Sequence, residues 1–492
     1  MKLINSRASG ILMPIFSLPS DYGIGTLGEE AYKFADFLKN SGQKVWQILP
    51  IGQTSMHDSP YQSFSSYAGN PYFIDFDMLY EKGLLYKYEY KDINWGEERI
   101  DYFKIYSNRF DILRKSFERF KSKEQDEFEK FIKDNDFWLD DYALFMSLKG
   151  RFGMISFSLW QDDIKMRKEE ELNKYKQILS EEIRFWKYMQ YIFFDQWRKL
   201  KEYVNSLDIY IIGDLPIYVS MDSADTWAHP EVFKIDEKFN PVKVAGCPPD
   251  AFSKTGQLWG NPIYNWDYLK KTKYKWWKDR IKFTSDLFDI TRIDHFRGFA
   301  SYYEIDCDAA TAENGEWKKG PGIEFWNEID DKGNIIAEDL GSFSKDTNEL
   351  LELTGFPGMK VLEFAFDLDK SNPHMIYNHK FNSIAYIGTH DNDTAVGWLN
   401  SLTEDKLKLI REYIDVGERD VNNWDLIRLV FSSVSELAIV QMQDVLGLSS
   451  EARINRPSTI GGNWTWRMKK GEINEELELK LKKITELYGR NT

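Results

Sequence analysis

The sequence predicts an α/β protein, a (β/α)₈ TIM barrel with largely helical insertions. Short apolar runs in the second half of the chain each lead to a carboxylate, and several such runs follow one another. The chain has 492 residues, a length that permits two or three domains or one large barrel with insertions. We expect a single barrel domain over residues 1–492.

The first 84 residues begin this pattern with a helix and a strand. Apolar residues at helical spacing predict a helix over residues 28–38, and residues 45–49 predict a short strand closed by Pro50. A polar loop from Gly52 to Pro71 follows. Loops of this length inside compact domains are usually functional or disordered, and the aromatic residues of this one argue against disorder.

Residues 85–205 differ from the rest of the chain. Their charge density is higher, and apolar residues recur at helical spacing, for example Phe120 and Phe128. We therefore expect a mostly helical insertion within the barrel. It should end in one long helix that runs through Trp186 and Trp197.

Residues 207–391 provide the strands that predict the barrel. Apolar runs of this length suit strands buried on both faces of a parallel sheet, and they lie at residues 209–212, 287–290, 335–337, 361–366 and 384–387. Acidic residues follow each of them. A barrel collects such strand ends at one face, whereas a doubly wound sheet binds its ligand around one switch point. Several strand-end carboxylates favour the barrel.

Composition excludes several classes of function. The chain has 64 Lys and Arg against 79 Asp and Glu, and a net charge of −15 argues against a nucleic-acid partner. No apolar run is long enough to span a membrane, and the N-terminus lacks the apolar core of a signal peptide. Cys247 and Cys307 are too few for a disulfide framework. We expect a cytoplasmic protein, although one disulfide stays open.

Cofactor and metal sites have little support. Residues 23–28 match the glycine pattern of dinucleotide-binding loops, but no strand precedes them, so a tight loop into the first helix is the better interpretation. The six histidines form none of the spacings typical of metal sites. We expect neither a cofactor nor a metal.

The carboxylates Asp214, Asp294, Glu338 and Asp391 carry the chemical signal. Arg292 lies two residues before Asp294, so both side chains point to the same side of a strand. A guanidinium there would lower the pKa of Asp294 and keep it ionised, as a nucleophile requires. Glu338 follows an apolar strand and neighbours Asp339, which would raise its pKa. Retaining glycoside chemistry needs this pair of an ionised and a protonated carboxyl group.

Ordered segments of the sequence resemble the 4-α-glucanotransferases, that is, the amylomaltases or disproportionating enzymes of the α-amylase superfamily. The matching segments are residues 58–64, 213–219, 248–250, 256–262, 292–298, 337–341, 388–394 and 462–467. They cover essentially the whole chain in the order of the family. The resemblance implies Asp294 as nucleophile, Glu338 as general acid and base, and Asp391 as a third carboxylate that stabilises the transition state.

The resemblance also implies the residues that bind substrate. Asp214, Arg292 and His390 would hold the glucose at the cleavage point. The further candidates are Ser59, Tyr61, Asp250, Gln257, Trp259 and Asn463. The implied partners are α-1,4-glucan donors and acceptors, namely maltodextrins and glucose.

The expected reaction is a retaining transfer of α-1,4-glucan segments through a covalent glucosyl-enzyme. Transfer requires that water be kept away from this intermediate, and residues 52–71 and 245–261 are the predicted lid loops. An α-amylase-like hydrolase is the first alternative, because the carboxylates alone do not distinguish it. A glucan-binding protein without activity is the second.

Overall fold

The computed structural model describes residues 7–55, 58–96, 98–123, 125–249, 253–341, 344–367 and 369–491. Within these ranges, eight parallel strands close into a barrel, in the order β1, β12, β11, β10, β9, β6, β3 and β2, with β2 returning to β1. The strands are β1 (Ala8–Leu12), β2 (Val45–Gln47), β3 (Tyr210–Leu215), β6 (Ile290–Ile293), β9 (Ile335–Ala337), β10 (Gly358–Val361), β11 (Ser383–Tyr386) and β12 (Leu437–Gln441). The predicted barrel is confirmed.

A small antiparallel sheet stands at the rim of the barrel, with strands in the order β5, β4, β7 and β8. Its strands are β4 (Lys243–Cys247), β5 (Gln257–Pro262), β7 (Ser301–Asp306) and β8 (Glu316–Lys319). The predicted loop over residues 245–261 is wrong at both ends, where the chain forms the end of β4 and most of β5. Glycine and proline within these short strands hide the strand pattern.

Helices surround the barrel and fill the stretch between β2 and β3. Those before β3 are α1 (Glu29–Asn40), α2 (Phe76–Glu81), α3 (Tyr102–Phe120), α4 (Asp126–Asp134), α5 (Asp136–Arg151), α6 (Asp162–Lys165), α7 (Glu169–Ile178) and α8 (Ser180–Ser206). Those after it are α9 (Ala224–Ala228), α10 (Trp266–Lys271), α11 (Lys275–Leu287), α12 (Gly322–Glu328), α13 (Lys345–Thr354), α14 (Ala395–Ser401), α15 (Glu404–Ile414), α16 (Asn423–Ser432), α17 (Met442–Leu446) and α18 (Glu475–Leu487). The predicted long helix through Trp186 and Trp197 is α8.

The apolar content of the strands explains why the barrel forms. Every residue of β1 and β12 is buried, as expected for strands covered by helices outside and by side chains inside. Helix α8 buries Phe185, Met189, Phe193 and Trp197, which recur on one face at helical spacing. Among the described residues, no helix is both long enough and apolar enough to span a membrane.

Two predicted strands differ in the structure. The strand predicted over residues 287–290 is shifted, because α11 ends at Leu287 and β6 begins only at Ile290. We expected residues 361–366 to be extended, but β10 ends at Val361 and residues 362–364 form a 3₁₀ turn. The backbone N–H of Ala365 donates to the carbonyl of Leu362 at 2.9 Å instead of joining the barrel ladder. A short apolar run does not by itself distinguish a strand from such a turn.

The glycine-rich segment at residues 23–28 is a loop that leads into α1, in agreement with the tight-loop interpretation. A Cβ at Gly25 would lie 1.8 Å from the carbonyl oxygen of Ile15, and one at Gly28 would lie 2.1 Å from Oδ2 of Asp75. Both glycines are therefore required by close packing against protein atoms.

Candidate active site

A cavity of about 470 Å³ lies at the C-terminal ends of the barrel strands. Most of the predicted site residues line it together: Ser59, Tyr61, Gln257, Trp259, Arg292, Asp294, Glu338, His390, Asp391 and Asn463. Cavities of this volume are typical of small-molecule sites. We call the surface formed by Arg292, Asp294, Glu338, His390 and Asp391 the barrel wall.

The register of neighbouring strands sets the first part of the barrel wall. Strand β3 pairs with β6 so that Asp214 stands opposite Arg292. Nη1 of Arg292 donates to both carboxylate oxygens of Asp214 at 2.7 Å, and it contacts Oδ1 of Asp294 at 3.2 Å. The expectation that Arg292 and Asp294 share one side of the strand is therefore confirmed.

Asp214 lies behind the cavity surface rather than on it. Its side chain is fully buried, and Arg292 and the hydroxyl of Tyr61 supply its hydrogen bonds. Its contact with the cavity thus passes through these two residues. Because removing one partner of a buried ion pair is strongly unfavourable, Asp214 and Arg292 depend on each other.

The electrostatics of Asp294 differ from the sequence-based expectation. Burial raises the pKa of Asp294, and the nearby Asp214 and Glu338 carboxylates add to the rise, while Arg292 opposes it. Arg292 acts in the expected direction, but the expected net lowering of the Asp294 pKa is wrong. The physical reason is the burial of the carboxyl group, which outweighs the lowering by Arg292; the two shortest contacts of Arg292 are made to Asp214.

Glu338 is held beside Asp294 by the next strand of the barrel. Strands β6 and β9 pair with Ile293 opposite Ala337, so Asp294 and Glu338 follow equivalent positions. The carboxylate of Glu338 accepts backbone N–H groups from His295 at 2.7 Å and from Leu340 at 2.8 Å. Burial raises the pKa of Glu338 to about 6, against the lowering effects of Arg292 and these two donors. The predicted direction is confirmed.

Tyr61, His390 and Asp391 complete this end of the cavity. The Tyr61 hydroxyl donates to Oδ2 of Asp214 at 2.7 Å and lies 3.0 Å from Nε2 of His390. The two rings stack with centroids 5.3 Å apart. Asp391 lies 3.4 Å from Nε2 of His390 and accepts from the amide of Asn455 at 2.6 Å. Burial lowers the pKa of His390, which favours its neutral form.

The opposite side of the cavity comes from the small sheet, and we call it the sheet wall. Its residues are Cys247, Gln257, Trp259, Asn261 and Trp317. Nε1 of Trp259 donates to Oε1 of Gln257 at 3.1 Å, and its ring meets that of His295 edge-on at 4.9 Å. None of these five side chains is an acid, a lysine or an arginine, so the sheet wall suits a neutral ligand.

Loops close the remaining sides. The amide of Gln62 donates to the carbonyl of Trp259 at 3.3 Å and to Oδ1 of Asn261 at 3.1 Å, which ties residues 58–71 to β5. The amide of Asn463 accepts from the backbone N–H of Arg456 at 3.0 Å and donates to Thr459. The side chain of Asn463 therefore closes its own loop at the edge of the cavity. Asp250, also predicted to bind substrate, lies outside the described residues.

Sequence reasoning missed several residues that line the cavity. Trp317 and Arg297 enter it from β8 and from the turn after β6, and Arg456 and Thr459 enter it from the last loop. Arg297 stands three residues after Asp294, and its guanidinium covers the Trp317 ring at 3.7 Å. The proximity of Arg297 to Asp294 in the sequence was the available signal. Nothing in the sequence around Trp317 indicates its position.

The fold and the cavity define a barrel enzyme with carboxylates at the ends of its strands. A family model described as 4-alpha-glucanotransferase matches residues 13–474. A 4-alpha-glucanotransferase of Clostridium butyricum is 53% identical over 486 residues, which cover 97% of this chain and all of that protein. One of Streptococcus pneumoniae serotype 4 is 46% identical over 498 residues, covering 99% of this chain and 98% of that protein.

Solved structures agree with these sequence relatives. Amylomaltase from Streptococcus agalactiae, solved in complex with acarbose, matches with a TM-score of 0.97 and 44% identity, over 99% of this chain and all of that one. Amylomaltase from Corynebacterium glutamicum matches with a TM-score of 0.74 at 18% identity, over all of this chain and 75% of that one, and supports the fold alone. The chain belongs to the 4-alpha-glucanotransferase family. Membership favours a transferase over the α-amylase-like hydrolase.

Proposed function

We propose that this enzyme transfers α-1,4-glucan segments, with retention of configuration, from a donor maltodextrin to the 4-hydroxyl of an acceptor glucan or of glucose. The observation that carries the proposal is the pair Asp294 and Glu338 at equivalent positions of two adjacent strands. Neighbouring strands lie about 4.8 Å apart. Retaining enzymes hold their two carboxyl groups about 5–5.5 Å apart, a separation that side chains from two adjacent strands can reach.

In the first step, Asp294 attacks the anomeric carbon while Glu338 gives its proton to the glycosidic oxygen. The bond from carbon to that oxygen breaks, the shortened glucan leaves as an alcohol, and a β-glucosyl ester forms on Asp294. The contact from Arg292 at 3.2 Å favours the ionised form of Asp294. Burial raises the pKa of Glu338 to about 6, so Glu338 keeps its proton more easily than an exposed glutamate does.

In the second step, the 4-hydroxyl of an acceptor loses its proton to Glu338 and attacks the ester. The bond to Asp294 breaks, and the α-linkage is restored. Asp391 would stabilise the positive charge that develops on the sugar in both steps. Its fixed position beside His390 and Asn455 supports this role, since a pre-oriented carboxylate costs little reorganisation.

The other cavity residues would bind and enclose the glucan. Arg292 and His390, with Asp214 and Tyr61 behind them, are suited to hydrogen bonds with the hydroxyls of the reacting sugar. Ser59, Gln257, Trp259 and Asn463 would contact neighbouring sugars. Residues 52–71 would act as a lid against water, and the tie from Gln62 to β5 supports that role.

Incubation of the purified enzyme with maltotriose alone tests the proposal. We expect glucose and a ladder of longer maltodextrins, while the total concentration of reducing ends stays constant. Rising reducing ends with only shorter products would identify a hydrolase. An unchanged substrate would identify either a binding protein or an enzyme for another linkage.

A further inference from the structure

The aromatic ring of Trp317 lines the active-site cavity and has no part in the proposed reaction steps. It lies on β8, the edge strand of the small sheet, and lines the same cavity as Asp294 and Glu338. Its exposed fraction is 39%. A large indole surface left open inside a cavity is a suitable contact for a ligand with an apolar face.

The ring of Trp317 is held in place by two neighbours. The Arg297 guanidinium covers it at 3.7 Å from the ring centroid, and the Tyr303 ring contacts it at 5.2 Å, tilted by 57°. Tyr303 is also the direct partner of Trp317 in the pairing of β7 with β8. A ring fixed in this way loses little conformational freedom when a ligand stacks on it.

The position of Trp317 identifies the sugar that it would contact. The barrel wall holds the charged groups that are suited to the reacting sugar, whereas the sheet wall carries uncharged side chains. Glu338 connects the two, because it accepts the backbone N–H of His295, whose ring meets Trp259 of the sheet wall. The sugar that exchanges a proton with Glu338 therefore has the sheet wall on its other side.

We infer that Trp317, backed by Arg297, is a stacking platform for the acceptor sugar and hence a determinant of transfer against hydrolysis. This inference rests on the proposed function. The C–H faces of a glucose ring pack well against an indole, and a stacked acceptor occupies the space from which water would attack. The same platform would hold the departing sugar in the first step, since the leaving sugar and the acceptor use one site.

A donor with a small leaving group separates acceptor binding from donor cleavage. We would use α-maltosyl fluoride, whose fluoride makes no ring contact, with methyl α-glucoside as acceptor. The measurements are fluoride release, the yield of transfer product and the KM for the acceptor. For Trp317→Ala we expect the ratio of transfer to hydrolysis to fall about tenfold and the acceptor KM to rise about tenfold.

Trp424 provides a matched control, because the ammonium of Lys480 covers its ring at 4.1 Å and it lies outside the cavity. Trp424→Ala should leave the transfer ratio and the acceptor KM unchanged. Trp317→Phe keeps a ring and should restore most of the transfer. If Trp317→Ala does not fold, Trp317→Leu against Trp317→Phe gives the same comparison between an aliphatic and an aromatic side chain.

The outcomes distinguish the inference from the function on which it rests. An unchanged acceptor KM and transfer ratio in Trp317→Ala would overturn the inference while the function stands. An equal loss in Trp424→Ala would also overturn it, since the effect would not depend on the cavity. A wild-type enzyme that releases fluoride but forms no transfer product would overturn the proposed function itself.

Discussion

The barrel wall and the sheet wall face the same cavity but are built in opposite ways. The barrel wall consists of ionisable side chains at strand ends, and hydrogen bonds or ion pairs hold them in place. The sheet wall consists of neutral and aromatic side chains, of which Trp317 is 39% exposed. The barrel wall therefore provides pre-oriented polar groups, while the sheet wall provides exposed surface for contact with a ligand.

This difference indicates a division of labour within the cavity. Charges that act on a transition state must already be oriented, and the strand ends of a closed barrel provide that rigidity. Contacts with glucans of different length require a large contact area that tolerates different ligand positions, and aromatic and amide groups provide such a surface. Substitutions in the barrel wall should therefore reduce the chemical step, and substitutions in the sheet wall should change which molecules enter it.

Removing the nucleophile should give the largest effect. For Asp294→Ala we expect a loss of maltotriose disproportionation of roughly 10⁴-fold or more, because no ester forms. Azide added with α-maltosyl fluoride should restore turnover and give the β-maltosyl azide, since azide then attacks directly. Product analysis by NMR measures the configuration. An α-azide or substantial residual disproportionation would contradict the assignment, provided that thermal unfolding shows an intact fold.

Removing the general acid and base, Glu338, should give the second-largest loss of activity. For Glu338→Ala we expect maltotriose turnover to fall about 10²–10⁴-fold, the usual contribution of proton transfer. The ester should still form from α-maltosyl fluoride, because fluoride leaves without a proton. Azide should then release it as the α-maltosyl azide, the configuration opposite to that expected for Asp294→Ala. The same azide configuration from both variants would show that the two roles were assigned incorrectly.

The pH dependence should depend on the donor. Burial raises the pKa of Glu338 to about 6. The first step needs the protonated form, so kcat/KM for maltotriose should fall about tenfold for each pH unit above that pKa. With α-maltosyl fluoride this limb should disappear, since no proton is needed. Initial rates from pH 4 to 9 measure both profiles, and a limb shared by the two donors would exclude Glu338 as its source.

The sequence predicted the barrel wall much better than the sheet wall. Apolar strands that end in acids are a local pattern, and barrel geometry then brings Asp214, Arg292, Asp294 and Glu338 together. Trp317 depends on the pairing of β7 with β8 and on the docking of that sheet at the rim, both of which are long-range. The pKa of Asp294 could not be predicted from the sequence either, because the burial of its carboxyl group beside Arg292 and Asp214 is a property of the assembled barrel.

The smallest predicted loss of activity comes from removing the Tyr61 hydroxyl, which lies behind the barrel wall. Tyr61→Phe removes a hydroxyl that joins Asp214 to His390, and we expect kcat/KM for maltotriose to fall roughly tenfold, the value of about one or two hydrogen bonds. Tyr90→Phe is the matched control, because its hydroxyl donates at 2.8 Å to Oδ1 of Asp77 and neither residue lines the cavity. It should lower the melting temperature without a comparable loss of kcat/KM. Equal losses of kcat/KM in both variants would mean that Tyr61 acts only through the stability of the protein, and the barrel wall would then not need its hydroxyl for orientation.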